Sequence, residues 1–178
     1  MFSGKTNLLI QKVVRAQLAH QKVVVYRPET DTRTAILVSR SGLEAQAADV
    51  RIVNRSSWIG VDVLSENPDL VVIDEAQFFD SGIIFVVDRL VGLGYHVIVA
   101  GLDRDFQRRP FGSMPTLLTM ADEVTKLTAI CHTCRGEATL TQRLVDGRPA
   151  SPRDPLVLIG GMGDETYQAR CHADWQVS

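Results

Sequence analysis

The sequence predicts an α/β fold, in which a mainly parallel sheet carries helices on both faces and a small β-rich unit follows it. Three observations carry this prediction. KVVVY (22–26) and LVVIDE (70–75) are unbroken apolar runs, the mark of strands covered on both faces. Strands of this kind alternate with helical patterns at the spacing of βαβ units. Beyond residue 130 the texture changes to short alternating segments separated by turn residues.

The elements follow in order. Leu8, Leu9, Val13, Val14 and Leu18 recur at helical spacing, which predicts an amphipathic helix from Thr6 to about Ala19. The strand 22–26 comes next and ends at Pro28. A polar stretch runs through Arg40, and VRIVN (50–54) is a short strand candidate. Ser56 and Ser57 are placed to cap a helix running towards Leu64. After the strand 70–75, residues 83–93 form a helix closed by Gly94, and HVIVAGL (96–102) is a third strand. EATLTQRL (137–144) alternates as a strand, DGRPASPRDP (146–155) is a loop, and LVLIGG (156–161) begins another strand. The expected division is 1–130 for the core and 131–178 for the appendage.

Composition narrows the classes of function. A length of 178 residues with 45% hydrophobic content is enough for one real core. A net charge of −2 gives no electrostatic reason to expect nucleic acid as a partner. The local basic cluster Arg104, Arg108 and Arg109 suits a phosphate better than a duplex. No apolar stretch approaches bilayer length and no signal peptide opens the chain, so a cytoplasmic protein without a membrane partner is expected. The 3 cysteines, Cys131, Cys134 and Cys171, argue against a disulfide framework and for metal or redox chemistry.

The opening MFSGKT matches the second half of a phosphate-binding loop, G-x-x-x-x-G-K-[ST]. Such loops work because backbone N–H groups and a helix N-terminus converge on phosphates. Ser3 and Gly4 belong to the turn, Lys5 supplies a point charge, and Thr6 offers a hydroxyl to Mg²⁺. Alone, the tetrapeptide fits an ordinary helix start as well. LVVIDE supplies the second anchor: four apolar residues ending in Asp74 place a carboxylate at a strand tip, where a nucleotide-bound metal needs one. Glu75 beside it is a candidate base for the hydroxyl that accepts the phosphoryl group. Phe78, Phe106, Phe111 and Tyr167 are candidate walls for a flat base, though any one phenylalanine is more often core.

Read together and in order, MFSGKT, DTR (31–33), IDEAQFF (73–79), GLDRDFQRRPFG (101–112), KLTAICHTC (126–134), TQRL (141–144), IGG (159–161) and YQARC (167–171) are distinctive. Nearly end to end, the chain resembles the zinc-containing thymidine kinases. The resemblance implies a RecA-like P-loop core and a small C-terminal zinc-binding domain with a lasso loop, here about 148–159. It implies transfer of the ATP γ-phosphate to the 5′-hydroxyl of thymidine, with Glu75 as base. Lys5, Thr6 and Asp74 would hold the triphosphate and Mg²⁺. Asp31 and Arg33 would reach the phosphates, and Arg108 and Arg143 would bear on phosphate charge. Met1, Gln77, Phe78, Leu102, Phe106, Phe111, Thr141 and Tyr167 match positions around the nucleoside. A tetramer is also implied.

Some features depart from the family. Its first strand and the leading Gly-Pro of the loop have no counterpart ahead of Met1, so an impaired nucleotide-binding relative stands as the alternative. Asn7 occupies a position that is usually acidic, the histidine the family often carries near Arg40 is missing, and IGGMGDETY is longer than usual. Cys131-x-x-Cys134 and Cys171 offer three thiolates where zinc takes four ligands, unless the pair is simply an idle reduced C-x-x-C. The family's fourth ligand lies three residues after the third, as Cys or His; here that residue is Asp174. His172, His132 and water stand as alternatives. A zinc ribbon that binds nucleic acid, with ATP as a switch, is disfavoured by the mild acidity.

Overall fold

A computed structural model describes residues 1–30, 37–38, 44–45, 49–156 and 165–177. The chain begins with helix α1 (Lys5–Leu18), whose Leu9, Ile10, Val13 and Ala16 form one buried stripe. The helix runs where the sequence predicts, but its buried face is turned from the expected one. Leu9 and Val13 are buried, Leu8 is half-buried, Val14 and Leu18 are exposed, and Ile10 and Ala16 take their place against the sheet the stripe needs. Strand β1 (Val23–Pro28) supplies that sheet and is buried along its whole length. Two short strands, β2 (Leu37–Val38) and β3 (Glu44–Ala45), pair with each other. Then come β4 (Asp49–Val53), α2 (Ser56–Glu66), β5 (Leu70–Ile73), a 3₁₀ turn over Ala76–Phe78, α3 (Gly82–Gly92) and β6 (His96–Val99).

The four longer strands form a parallel sheet in the order β4-β1-β5-β6. Strand alternation splits its residues between two cores. Val24, Tyr26, Val71 and Ile73 point to the face covered by α2 and α3, where they meet Ile59, Val63, Ile83 and Leu90. Val23, Val25, Leu70 and Val72 point to the opposite face and meet Leu9, Ile10 and Val13 of α1. The result is helix, sheet, helix. Because β4 lies on one side of β1 and β5 on the other, the strand order reverses beside β1, and ligand sites open at the carboxyl ends of strands at such a reversal.

Asp80 sets how the second helical layer begins. The serine cap expected for α2 does not form, since Arg55 occupies the N-cap position. Instead the Asp80 carboxylate accepts from the Ser56 backbone N–H at 2.9 Å and from Ser56 Oγ at 2.7 Å. It also accepts from the Gly82 N–H at 2.9 Å, so one anion satisfies the first turns of both α2 and α3. These donors hold its carboxyl below the usual value, the Ser56 backbone N–H foremost.

Helix α4 (Met114–Met120), with Pro115 in its first turn, leads out of the core. A hairpin of β7 (Ala129–Ile130) and β8 (Glu137–Ala138) follows. The antiparallel sheet β10-β9-β11 comes next, from β9 (Leu140–Val145), β10 (Arg148–Pro149) and β11 (Glu165–Arg170). The expected strand 137–144 divides at Thr139: Glu137–Ala138 pair with β7, and the rest becomes β9 in the three-stranded sheet. The expected strand from 156 lies mostly outside the described residues, and Leu156 itself is not in a strand. Among the described residues, no helix is long and apolar enough to cross a membrane.

Candidate functional site

Three elements meet at the carboxyl end of the sheet. The first is the start of α1. Gly4 sits in the left-handed region at φ 77°, a conformation suited to glycine, and its carbonyl accepts from Leu8 N at 3.0 Å to open the helix. Among the described residues, a side chain added at Gly4 would meet nothing within 4 Å, so open space lies before the first turn of the helix.

The second is the end of β5. Asp74 still pairs as sheet through its N–H to the Tyr26 carbonyl at 2.9 Å, with its side chain fully buried. Its Oδ1 accepts from the Glu75 backbone N–H at 2.9 Å. Glu75 then turns into the left-handed region at φ 51°, which costs a non-glycine residue about 1 kcal/mol. The turn lets two consecutive carboxylates face the same cation, where an extended strand would send them to opposite sides. That cation is Lys5: its Nζ lies 2.5 Å from Asp74 Oδ1 and 3.1 Å from Glu75 Oε1. Burial alone pulls the Lys5 ammonium down, and the charges of Asp74 and Glu75 outweigh it, so it stays above its ordinary value. Asp74 Oδ2 is buried, finds no hydrogen-bond donor among the described residues, and lies 3.8 Å from Arg27 Nε.

The third element is the loop 100–113 between β6 and α4. Phe111 meets Phe78 edge to face, with ring centroids 5.4 Å apart. Leu102 N–H donates to Gln77 Oε1 at 3.0 Å, and Gln77 Nε2 donates to Glu75 Oε2 at 2.6 Å.

A cavity of about 450 Å³ opens over these groups. Of the residues expected from the sequence, Ser3, Gly4, Lys5, Thr6 and Glu75 line one part of it. Gln77, Phe78, Leu102, Phe106 and Phe111 line another, and Met1, Thr141 and Tyr167 complete it from the two ends of the chain. Asp74 lies behind Lys5 and Glu75 rather than in the lining. Arg108 is exposed and lies 5.1 Å over the Trp175 ring, outside the lining. Arg143 is buried, lies 5.1 Å over the Phe106 ring and donates to the Pro155 carbonyl at 2.6 Å. Asp31 and Arg33 lie outside the described residues. Phe2, Asn7, Arg104, Asp105 and Leu156 also line the cavity and were not picked out as site residues. Arg104 stands in the basic cluster read from the sequence, but only the loop's fold shows that it, rather than Arg108, turns inward.

A second cluster forms where the β7–β8 hairpin meets the end of β11. The ligand atoms of Cys131, Cys134, Cys171 and Asp174 all lie within 4.8 Å of one another. Asp174 Oδ2 is 3.2 Å from the sulfurs of both Cys131 and Cys171. Cys134 and Cys171 sulfurs are 3.8 Å apart, and tetrahedral Zn–S bonds of about 2.3 Å place sulfurs about 3.8 Å apart. The donor set therefore fits a divalent, thiophilic cation. His132 and His172 stand outside this group of four. The four groups perturb one another: the hydrogen bond to Asp174 pushes the Cys134 thiol up to about 12, and thiol donors, Cys134 first, hold the Asp174 carboxyl down.

Compared with known protein families, residues 1–175 match the family described as Thymidine kinase. The chain belongs to the thymidine kinase family. Membership covers both the cavity and the cysteine cluster, since the match runs through Asp174. A thymidine kinase is a phosphotransferase.

Proposed function

We propose that the protein phosphorylates thymidine on its 5′-hydroxyl with ATP, yielding thymidine monophosphate and ADP. The observation that carries this reading is the convergence of Lys5, Asp74 and Glu75 on one cavity walled by Phe78 and Phe111. The N–H groups at the start of α1, with Ser3 and Gly4, receive the triphosphate, and Lys5 moves from Asp74 to the transferring phosphoryl group. Thr6 and Asp74 would hold Mg²⁺, whose chemistry is to offset charge on the phosphate oxygens. Asp74 Oδ2, with no hydrogen-bond donor among the described residues, fits that part. Glu75 accepts the proton of the sugar hydroxyl, which then attacks in line. Met1, Leu102, Phe106, Thr141 and Tyr167 enclose the nucleoside. Arg143 acts through Phe106 and the segment around Pro155, and Arg108 serves the triphosphate from outside the lining; Asp31 and Arg33 are assigned to the triphosphate from the sequence motif alone.

Zinc on Cys131, Cys134, Cys171 and Asp174 would fasten the hairpin to β11, where buried apolar area is small. Residues 1–130 then act as the catalytic core and 131–178 as the nucleoside-covering domain, in a tetramer that sedimentation velocity would detect.

The test is an ADP-coupled assay with thymidine, deoxyuridine and deoxycytidine, repeated with Glu75→Gln. Turnover with thymidine that Glu75→Gln abolishes, while ATP binding persists, supports the reading. ATP binding without turnover on any nucleoside favours a nucleotide-binding relative with impaired catalysis.

A further inference from the structure

We infer that Gln77 is a positioning residue for the base: its amide holds the Glu75 carboxylate by one oxygen and leaves the other to Lys5. The inference rests on the reading of Glu75 as the base. Gln77 is almost fully buried, and both ends of its amide are engaged. A primary amide has one acceptor end and one donor end, and the backbone decides which faces where. The Leu102 N–H can only donate, so it takes Oε1, at 3.0 Å. Nε2 is thereby turned onto Glu75 Oε2, at 2.6 Å. Glu75 Oε1 is 3.1 Å from Lys5 Nζ, so the two carboxylate oxygens have different donors.

The surroundings fix Gln77 in turn. A side chain added at Gly112, which sits at φ 52°, would run into the Gln77 carbonyl oxygen. One added at Gly101 would come within 2.7 Å of Gln77 Oε1. Both glycines flank the loop that carries Leu102, so loop and amide are packed as one unit. The arrangement suits a base that must stay ionised and oriented until the hydroxyl arrives. An amide donor favours the charged carboxylate without adding a charge that competes with Lys5 or the phosphates. It also explains how Glu75 is held although its own backbone stands in a left-handed turn.

The experiment compares pH profiles of kcat and kcat/KM for thymidine phosphorylation in the parent protein, Gln77→Ala and Gln77→Glu. Gln77→Ala removes the donor, and kcat falls about 100-fold while the thymidine KM changes less than about threefold. The acid limb of its profile moves to higher pH, because the carboxylate has lost a hydrogen bond to its charged form. Gln77→Glu keeps the shape and the bond from Leu102 but sets a second carboxyl against Glu75, so its acid limb moves further in the same direction. Far-ultraviolet circular dichroism and the unfolding midpoint check that each variant is folded, and should Gln77→Ala fail to fold, the isosteric Gln77→Glu decides alone. A raised KM with kcat and the acid limb unmoved would make Gln77 a nucleoside contact and overturn the inference. So would an unchanged profile in both variants. Glu75→Gln separates the two levels: if it retains turnover, the base assignment itself fails whatever Gln77 does.

Discussion

Lys5 Nζ and Asp74 Oδ1 are 2.5 Å apart, although the two residues stand 69 positions apart in the chain. The first turn of α1 and the tip of β5 are thus joined by a charge pair at the place where a triphosphate would enter. Lys5→Met keeps the stem and removes the charge, leaving Asp74 and Glu75 facing each other. We expect kcat/KM for ATP to fall about 1,000-fold, with nucleotide affinity reduced in calorimetric titration. The pH dependence has a definite sign. The folded Lys5 value is raised, so its stabilising contribution is complete below the ordinary lysine value and disappears only as pH rises through the raised one. Activity changes near neutrality therefore report other groups.

The metal cluster gives a prediction with a proton count. Purified protein should carry about one zinc ion per chain. Its thiols must ionise on binding, including the Cys134 thiol pushed up to about 12, so binding releases protons and weakens as pH falls. Titration calorimetry in buffers of different ionisation enthalpy measures the release. Asp174→Ala should weaken zinc at least about 100-fold, whereas Asp174→Cys should tighten it. Cobalt substitution should show thiolate charge-transfer bands in the parent and additional intensity in Asp174→Cys.

Asp80 offers a test of stability rather than catalysis. Its folded value is lowered, so the contribution is present above the ordinary carboxyl value and is lost as pH falls through the lowered one. Asp80→Asn should cost about 1 kcal/mol at pH 7, a modest figure because the side chain is exposed to solvent. Urea denaturation at pH 7 and again below the lowered Asp80 value checks this: the gap between parent and variant should close in acid.

Phe111 tests the nucleoside wall. Phe111→Ala removes the edge-to-face partner of Phe78 and one face of the cavity. The thymidine KM should rise about tenfold while the ATP KM stays within about twofold. Steady-state kinetics with each substrate varied in turn separates the two.

Much of the core was legible because its signals are local. Val23, Val24 and Val25 cannot alternate inside and outside water, so that run had to be a strand between two helical layers. SGKT and LVVIDE named the two anchors that Lys5 and Asp74 join. The C-x-x-C pair with Cys171 and Asp174 located the cluster, since hairpin and strand end bring together what the chain separates. Other features were illegible for physical reasons. Residues ETYQAR of β11 offer only Tyr167 and Ala169 as an apolar alternation, too short a signal to name a strand, and their register comes from pairing with β9. The short α4 has one local signal, Pro115 in its first turn, which by itself does not separate a helix start from a turn. Nothing in IDEAQ announces a left-handed Glu75. The choice of Arg104 over Arg108 depends on a loop closed by the pairing of Arg104 with Pro110.

The parallel sheet has a second rim. The returns from α1 to β1 (19–22), from α2 to β5 (67–69) and from α3 to β6 (93–95) all lie at the strands' amino ends, and none supplies a residue to the cavity or the cysteine cluster. At Gly94 an added side chain would meet open space, though its φ of 89° favours glycine. That rim is a place for handles: a fluorophore, an affinity peptide or a surface tether could be attached there while chemistry proceeds undisturbed at the opposite pole.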